Sequence, residues 1–369
     1  MTGTVSAGAR RALAAGLPDF PWDRLEPVKA KAAAHPDGLV DLSIGTPVDS
    51  VPDVIRAALA QASDAPGYPL TAGTPELRGA IREWVTRWCG PASDAFGVLP
   101  TIGSKELVAW LPTLLGIGPG DTVVIPQVCY PTYEVGVQLA GATVVRADSL
   151  TSVGPARVRL VWINSPGNPT GRVLPPAHLR KVVDWARERG AVVASDECYL
   201  PLPWEAEPVS ILSVCDGVFD NVLAVHSLSK RSNLAGYRAG FVAGDPALVN
   251  ELLQVRKHAG MIVPAPVQAA MIAALGDEDH VEQQRQRYRE RRVTLRAAFE
   301  RAGFTVEHSE AGLYLWLTRD EDSWATADWL AERGILAAPG AFYGPAGERH
   351  VRIALTATDD RVAAAVARL

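Results

Sequence analysis

The sequence lacks the features that mark membrane, secreted and nucleic-acid-binding proteins. No apolar run approaches the length of a bilayer-spanning helix, and residues 1–15 lack the central apolar block of a secretory signal. Basic residues are not in surplus, because the formal charge is −5 and the pI is near 5.9. These absences predict a cytoplasmic protein that has neither nucleic acid nor membrane as a partner.

Cysteine and histidine are scarce and scattered. The four cysteines form no CxxC pair, and the seven histidines show no HxxxH spacing. The sequence therefore predicts no metal site and no dithiol redox site, and the thiols are expected to be reduced.

What is present is the composition of an ordinary globular protein, with 48% hydrophobic and 21% charged residues. A chain of 369 residues is long for one core, so two domains are expected. The one basic run, Arg285 to Arg296, is interrupted by Glu290 and predicts a solvated helix face. The predicted division is a flexible N-terminus (1–15), an N-terminal arm and strand joining the small domain (16–45), a large domain (46–262) and a small domain (263–369).

Strand and helix patterns alternate through the middle of the chain. Apolar runs such as those at 123–126, 160–163, 191–194 and 222–225 are separated by amphipathic segments, of which 176–189 is the clearest. This alternation predicts an α/β fold with a mainly parallel, mixed sheet wrapped by helices. After residue 245 the pattern changes to a helix at 246–258, a long helical region at 267–302 and several short strands. This predicts a smaller α+β domain, completed by a strand at 39–44 near Leu42.

Three polar clusters directly follow predicted strands. They are Asn164 to Gly171, Ser195 to Tyr199 and Ser227 to Arg238. Ligands of parallel sheets bind at the carboxyl ends of the strands, so the three clusters predict one shared site. A fourth segment, Gly103-Ser104-Lys105-Glu106, follows a strand and opens a helix, which suits an anion site or an ordinary helix N-cap.

The clusters meet the separate chemical demands of a pyridoxal phosphate. Lys230 offers an amine for a Schiff base, and Asp196 offers a carboxylate that would keep the pyridine nitrogen protonated. Asn168 and Tyr199 can donate to the phenolate oxygen. The aromatic ring of Tyr130 can cover the cofactor ring; the alternative is that Tyr130 is an ordinary core aromatic at the start of a helix.

The phosphate of such a cofactor needs a cation and several donors. Arg238, Ser227, Ser104 and the backbone of Gly103 to Lys105 can supply them.

In combination these motifs resemble one family. Asn168-Pro169-Thr170-Gly171, Asp196-Glu197-x-Tyr199, Ser227-x-Ser229-Lys230 and Arg238 are similar to the signature residues of the fold type I, class I/II pyridoxal-phosphate aminotransferases. The resemblance extends from Gly45 to Arg352. It implies pyridoxal 5'-phosphate as cofactor, amino acids and keto acids as substrates, and a homodimer with shared active sites.

The resemblance also implies roles for individual residues. Lys230 is the Schiff-base lysine and proton carrier, Asp196 pairs with the pyridine nitrogen, and Tyr130 stacks on the ring. Asn168 and Tyr199 bind the phenolate oxygen, and Tyr68 reaches the phosphate of the neighbouring subunit. The residues implied for the phosphate of the same subunit are Gly103, Ser104, Lys105, Ser227 and Arg238. Those implied for the substrate are Gly45, Asn168 and Arg352.

A finer resemblance concerns the substrate. The segments 45–49, 65–69, 256–261 and 354–358 are similar to the actinobacterial branch of N-succinyldiaminopimelate aminotransferases, which implies glutamate and N-succinyl-2-amino-6-oxopimelate as substrates in lysine biosynthesis. Such an acceptor needs a second anion site beyond Arg352, which clamps the α-carboxylate. Arg24, Lys105, Arg231 and Arg256 are the candidates for it.

Several alternatives remain open at this point. An aminotransferase for another amino acid, a C–S lyase and a decarboxylase would use the same fold and cofactor. A nicotinamide-dependent dehydrogenase is suggested by Gly116-Ile117-Gly118-Pro119-Gly120, but these glycines follow a helix and precede a strand, the reverse of a dinucleotide turn. A ligand-sensing regulator would need a DNA-binding segment, and the residues before the core show no helix-turn-helix pattern.

Overall fold

A computed structural model describes residues 13–154 and 156–369. The predicted flexible N-terminus lies mostly outside this range, since residues 1–12 are not described, and Leu13–Gly16 forms a short 3₁₀ turn. The described chain forms a large α/β domain and a smaller α+β domain, which confirms the predicted fold class.

The strands of the described chain are numbered in chain order. They are β1 (Val40–Asp41), β2 (Gly97–Ile102), β3 (Thr122–Ile125), β4 (Thr143–Arg146), β5 (Val158–Asn164), β6 (Val192–Asp196), β7 (Val222–Ser227), β8 (Ala239–Gly244), β9 (Thr305–Glu307), β10 (Tyr314–Thr318), β11 (Ile335–Leu336), β12 (Ala338–Pro339) and β13 (His350–Ala354).

The α-helices are numbered in the same way. They are α1 (Glu26–Ala33), α2 (Asp53–Gln61), α3 (Pro75–Cys89), α4 (Gly103–Leu114), α5 (Thr132–Ala140), α6 (Pro176–Arg189), α7 (Leu228–Arg231), α8 (Pro246–Ala259), α9 (Ala265–Gly276), α10 (Asp279–Arg301), α11 (Ser323–Ala331) and α12 (Asp359–Arg368).

The large domain is built on a seven-stranded sheet with the order β2-β8-β7-β6-β5-β3-β4. Its strands are parallel except β8, which runs antiparallel to both β2 and β7. Strands β5, β6 and β7 lie side by side, with Asn164 beside Asp196 and Asp196 beside Val225. Their carboxyl ends therefore bring the three predicted polar clusters to one edge.

The sequence explains why helices cover both faces of this sheet. The central strands are apolar on both faces and fully buried, as parallel strands require. Helix α6 shows how a covering helix forms: a proline occupies its first turn, Leu179 and Val183 lie on its buried face, and Gly190 ends it in the left-handed conformation (φ 63°).

The small domain contains the antiparallel sheet β12-β13-β10-β9. The N-terminal strand joins this domain as predicted, because β1 pairs in parallel with β11, with Val40 opposite Ile335. Strand β1 spans only two residues, so the predicted strand from 39 to 44 is mostly an extended segment that leads to Gly45.

The packing of α9 differs from the predicted division of the chain at 262/263. Val263, Ala270 and Met271 are buried in the same core as Leu77 and Ile81 of α3, so α9 packs with the large domain. The predicted single helical region from 267 to 302 is also two helices. It breaks after α9, where the Asp277 side chain accepts a hydrogen bond from the Asp279 N–H (3.1 Å).

The basic run on α10 is only in part the solvated face that its charge pattern predicts, since Arg287 and Arg289 are exposed but two other arginines are buried. Arg291 is buried and donates to both carboxylate oxygens of Asp49 (2.7 and 2.8 Å), while Arg292 is buried against Glu205. Charge spacing alone does not reveal these partners, because they come from distant parts of the chain. No α-helix of the described residues combines the length and apolarity that a membrane crossing needs.

Candidate active site

A cavity of about 550 Å³ lies where the polar edge of the large sheet meets the small domain. Most of the predicted site residues line it, and they come from both domains. The predicted members of its wall are Gly45, Ser104, Lys105, Tyr130, Asn168, Asp196, Tyr199, Ser227, Lys230, Arg238 and Arg352.

Lys230 is positioned by the short helix α7, which begins directly after β7. The Ser227 side chain caps this helix by accepting a hydrogen bond from the Ser229 N–H (3.1 Å). The Lys230 amine points across the cavity and donates to the Gly45 carbonyl. Burial, together with the positive charges of Arg352 and Arg238, lowers the pKa of Lys230 to about 8.

Asp196 lies at the carboxyl end of β6, on the floor of the cavity. Its carboxylate accepts hydrogen bonds from the Tyr133 hydroxyl (2.8 Å) and from the Cys198 N–H (3.2 Å). Burial raises the pKa of this carboxyl, and the two hydrogen bonds oppose that shift. The carboxylate is therefore oriented before any ligand binds.

The residue that orients Asp196 was not assigned a role from the sequence. Tyr133 lies in the first turn of α5, three residues after Tyr130, and its ring stacks on Trp162 with centroids 4.9 Å apart. A second tyrosine at this helical spacing is the only sequence signal, and it does not show that the hydroxyl reaches a carboxylate. Tyr130 itself lines the cavity, and burial raises the pKa of its hydroxyl to about 12.

Asn168 and Arg352 form one hydrogen-bonded unit at another wall. Arg352 Nη1 donates to Asn168 Oδ1 (2.9 Å), and Nη2 donates to the Ser43 carbonyl (2.5 Å). The Asn168 N–H in turn donates to Asn164 Oδ1 (2.7 Å). Since its oxygen faces Arg352, Asn168 has its amide N–H₂ left to donate to a ligand.

Aromatic rings enclose the Arg352 guanidinium. Its carbon lies 4.0 Å from the centre of the Tyr314 ring and 5.0 Å from that of Tyr343, and its Nε has no hydrogen-bond partner among the described residues. The Tyr314 hydroxyl lies 3.2 Å from that of Tyr199. An added Cβ at Gly45 would lie 2.9 Å from Tyr314 Cζ, so only glycine allows this approach.

The opposite end of the cavity is built to receive an anion. Helix α4 begins at Gly103, which has a φ of +70°, and the first N–H groups of this helix face the cavity near Ser104 and Ser227. The Arg238 guanidinium packs directly on Gly103, because an added Cβ there would lie 2.9 Å from Arg238 Cζ. These donors and this cation fit a phosphate.

Two predicted site residues differ in position from the rest. Tyr68 is fully exposed and does not line the cavity. Lys105 lies at the cavity mouth, where burial lowers its pKa and its Nζ is 5.5 Å from the centre of the Phe20 ring. Phe20 and Trp22, which belong to the N-terminal arm, line the same mouth and were not predicted as site residues.

The comparisons with known proteins agree with this geometry. The family described as "Aminotransferase class I and II" matches residues 37–369, and the chain belongs to this family. Its fold is that of the fold type I enzymes, and the family depends on pyridoxal phosphate. The predictions of family, fold and cofactor are therefore confirmed.

Two relatives and one solved structure illustrate the similarity. A Mycobacterium tuberculosis protein named "Probable aminotransferase" is 62% identical over 99% of this chain and 88% of its own length. The 4-dedimethylamino-4-oxo-anhydrotetracycline transaminase OxyQ of Streptomyces rimosus is 61% identical over 96% of this chain and 99% of its own. A structure titled "probable N-succinyldiaminopimelate aminotransferase", from Thermus thermophilus, is 29% identical with a TM-score of 0.85, covering 95% and 100% of the two chains.

Proposed function

We propose that this aminotransferase moves an amino group between glutamate or 2-oxoglutarate and a keto acid with a distal carboxylate, foremost N-succinyl-2-amino-6-oxopimelate. The observation that carries the proposal is the pair of cations on the cavity wall. Arg352 is buried inside the cavity, and Lys105 stands at its mouth with no carboxylate partner among residues 13–154 and 156–369.

The residues of the cavity fit the cofactor of the family. Arg238, Ser104, Ser227 and the start of α4 would hold its phosphate, and Asp196 would hold its pyridine nitrogen. When bound, pyridoxal phosphate supplies an aldehyde that takes up amino groups and a ring that withdraws electrons from the substrate α-carbon. The fit rests on the donor set, since each polar atom of the cofactor has a chemically matched group.

We assign the two main catalytic tasks, proton transfer and activation of the cofactor ring, to Lys230 and Asp196. Lys230 would hold the aldehyde carbon and carry the proton to and from the substrate α-carbon, for which a pKa near 8 is well suited. The Asp196 carboxylate, fixed by Tyr133, would keep the pyridine nitrogen protonated. Asn168 and Tyr199 would donate to the phenolate oxygen.

Arg352 is the group that would bind the substrate α-carboxylate. Its guanidinium is held rigidly by Asn168 and the Ser43 carbonyl, and stacking on Tyr314 keeps its plane fixed. A planar fork held in this way suits a bidentate carboxylate contact. Its free Nε and the neighbouring N–H groups provide the donors.

The four candidates for a second anion site differ in their hydrogen-bond partners and in their distance from the cavity. Arg256 is fully buried and donates to both carboxylate oxygens of Glu106 (2.8 and 3.0 Å). Arg231 is buried against Glu278 (3.3 Å) and the Ala274 carbonyl. Neither guanidinium reaches the cavity, so both belong to the supporting framework.

The other two candidates lie near the mouth of the cavity. Arg24 stacks over Trp324 and Phe342, at 5.5 and 5.9 Å, and does not line the cavity wall. Lys105 lines the wall, and burial together with the positive charge of Arg238 lowers its pKa, so a bound carboxylate would stabilise its charged form. We therefore assign the distal carboxylate of the substrate to Lys105.

The names of similar proteins support two different acceptors. The Thermus thermophilus structure is titled for N-succinyldiaminopimelate, which agrees with the finer resemblance of this sequence. OxyQ, which is more similar in sequence, is named for a polycyclic ketone. The aromatic residues Phe20 and Trp22 at the cavity mouth favour this second candidate function.

A substrate screen with purified holoenzyme tests the proposal. Glutamate is supplied with N-succinyl-2-amino-6-oxopimelate, with its analogue in which the succinyl carboxylate is a neutral amide, and with 4-dedimethylamino-4-oxo-anhydrotetracycline. We expect the first acceptor to have the highest kcat/KM and the amide to lose roughly tenfold or more, since a charged hydrogen bond contributes about 1.5–3 kcal/mol. A preference for the polycyclic ketone would overturn the acceptor assignment.

Two controls complete the screen. A Lys105→Met variant should lose the discrimination between the acid and the amide while its rate with the amide changes little. Omission of the keto acid tests the C–S lyase and decarboxylase alternatives, because those enzymes turn over without an amino acceptor. Sustained turnover of an amino acid alone would contradict the aminotransferase assignment.

The functional unit is proposed to be a homodimer with shared sites. Tyr68 is fully exposed on its own protomer and lies outside that protomer's cavity. A large exposed aromatic of this kind suits a contact with a second copy of the chain. We propose that it donates to the phosphate of the partner's cofactor.

A further inference from the structure

A second polar cluster lies in the large-domain core, away from the cavity. It consists of Cys89 at the end of α3, Glu197 directly after β6, and His226 in β7. All three side chains are buried, with 2%, 0% and 2% of their surface exposed. None of them lines the active-site cavity, and none has a role in the proposed aminotransfer.

Hydrogen bonds within the described chain leave this cluster incomplete. Glu197 Oε1 accepts from the Ser195 hydroxyl (2.9 Å) and the Ile211 N–H (2.7 Å), but Oε2 has no partner among the described residues. His226 Nε2, the ring nitrogen nearest to it, is within hydrogen-bond range only of the weak partner Cys89 Sγ (3.6 Å) in this part of the chain. A buried carboxylate oxygen without a partner is rare and costly, so Glu197 Oε2 points to a group that completes it.

The candidate ligand atoms of the cluster lie close to one another. His226 Nε2 lies 3.6 Å from Glu197 Oε2 and 3.6 Å from Cys89 Sγ, and the three atoms all lie within 4.8 Å of one another. A nitrogen–oxygen separation of this size is too long for a hydrogen bond. Tetrahedral bonds of about 2.0–2.3 Å to one ion would place their ligand atoms roughly 3.3–3.6 Å apart.

The nature of the three ligands indicates which ion would fit. Thiolate, imidazole and carboxylate together are the ligand set that zinc takes in proteins. A thiolate and a carboxylate also balance two positive charges, so the site would be neutral inside an apolar core. Trp84 and Phe241 pack on the imidazole, with ring centroids 5.0 and 5.1 Å away, and hold it in place.

We propose that Cys89, Glu197 and His226 form a structural zinc site on the side of the sheet that faces away from the cofactor cavity. The ion would join the end of α3 to the ends of β6 and β7. It would also fix the backbone immediately after Asp196, because Glu197 is the next residue. Binding would release the thiol and carboxyl protons.

Without an ion, burial disfavours every charged form in the cluster. Glu197 Oε2 and His226 Nε2 lie 3.6 Å apart, beyond hydrogen-bond distance. The three ligands come from three elements with no short spacing between them. A search for sequence motifs therefore does not detect the site.

The site is tested on the untagged holoenzyme, produced in zinc-supplemented medium and dialysed against a chelator. Metal content is measured by mass spectrometry, and the coordination is measured by X-ray absorption at the zinc edge. We expect about one zinc per chain, with one sulfur ligand at about 2.3 Å and nitrogen or oxygen ligands at about 2.0–2.2 Å. Zinc below about a tenth of an equivalent per chain, or a spectrum without sulfur, would overturn the proposal.

Matched variants identify the ligands. Cys89→Ala and Glu197→Gln should lose the zinc, whereas Cys215→Ala should retain it, because Cys215 is a buried cysteine of the same core whose Sγ donates to the Ile211 carbonyl (3.2 Å). Circular dichroism and cofactor content show that each variant is folded. Equal zinc content in folded Cys89→Ala and Cys215→Ala proteins would rule the site out. If Cys89→Ala does not fold, Glu197→Gln is compared with Cys215→Ala in its place.

Discussion

At the scale of single residues, the candidate site depends on a few groups whose ionisation is set by burial. Burial and the positive charges of Arg352 and Arg238 favour the uncharged amine of Lys230. Asp196 is buried too, but hydrogen bonds from Tyr133 and Cys198 favour its charged form. One fold therefore presents a nucleophilic amine and an oriented carboxylate in the same cavity.

The lowered pKa of Lys230 predicts how cofactor uptake depends on pH. Below about pH 8 most of the amine is protonated, so the rate of uptake by cofactor-free enzyme should rise with pH and level off above that value. Stopped-flow absorbance measures this rate. In Arg352→Gln the midpoint should move to higher pH, because one positive charge that disfavours the ammonium form is gone.

A remote cation provides the control for this measurement. Arg180 is exposed and pairs with Asp216, far from the cavity. Arg180→Gln should leave the midpoint unchanged. A wild-type midpoint near the ordinary lysine value of about 10.4 would show that Lys230 is not desolvated.

Removal of the Tyr133 hydroxyl should weaken catalysis without unfolding the protein. In Tyr133→Phe the Asp196 carboxylate loses a 2.8 Å hydrogen bond and its pKa rises further, so in its proposed role it would hold the pyridine nitrogen less well. Hydrogen bonds to charged groups contribute about 1.5–3 kcal/mol, so kcat/KM should fall roughly tenfold or more. Tyr288→Phe is the control, since Tyr288 is buried in the small-domain core away from the cavity. Equal activity in the two variants would exclude this role for Tyr133.

At the scale of elements, the start of α4 sets the shape of the phosphate end of the cavity. Gly103 combines a positive φ with direct contact to Arg238, whereas Gly116 has a similar φ (+67°) and open space around its Cα. A substitution at either glycine would strain the backbone, but only one at Gly103 would also displace the Arg238 guanidinium.

This difference predicts distinct outcomes for two alanine variants. Gly103→Ala and Gly116→Ala should each lose about 1–2 kcal/mol of unfolding free energy, since both place alanine in the left-handed region. Only Gly103→Ala should also raise the cofactor dissociation constant, because its Cβ would displace Arg238. Denaturant unfolding and equilibrium dialysis measure the two quantities. Equal dissociation constants would show that Arg238 does not hold the phosphate.

The sequence predicts those elements whose signals are local. Helix α6 has the predicted bounds because its proline start, apolar face and glycine end are all present in one stretch. The polar loops after β5, β6 and β7 meet as predicted, because parallel strands bring their carboxyl ends to one edge.

Features that depend on distant contacts are not predictable in this way. The domain assignment of α9, the burial of Arg291 and the hydrogen bond between Tyr133 and Asp196 all arise from tertiary packing. The proposed choice of Lys105 among four cations also rests on such contacts. Sequence spacing cannot show that Arg256 is already paired with Glu106.

At the scale of the whole molecule, contacts tie helix α7 and the residues after it to distant parts of the chain. Arg231, next to Lys230, donates to the Ala274 carbonyl and to Glu278 at the corner between α9 and α10. Asn233 donates to Gln284 of α10 (3.0 Å) and to the Ser50 carbonyl (3.2 Å). Lys230 is thus anchored in its own protomer, whereas Tyr68 is exposed.

This division predicts complementation between two defective chains. Tyr68→Ala and Lys230→Ala variants are each expected to be weak or inactive as homodimers, the first because a charged hydrogen bond to phosphate is lost and the second because the amine is lost. If Tyr68 serves the partner's site, a hybrid dimer contains one site with both residues intact. Random pairing of equal amounts should then restore about a quarter of the wild-type activity per chain.

The measurement uses chains unfolded together and refolded with cofactor, and the same chains refolded separately and mixed afterwards serve as the control. If Tyr68 acted within its own protomer, each hybrid site would lack one of the two residues, and joint refolding would give no more activity than mixing. The result of joint refolding therefore depends on whether Tyr68 contacts the phosphate in its own protomer or in the partner. It distinguishes a shared active site from two independent sites even where both kinds of enzyme are dimers.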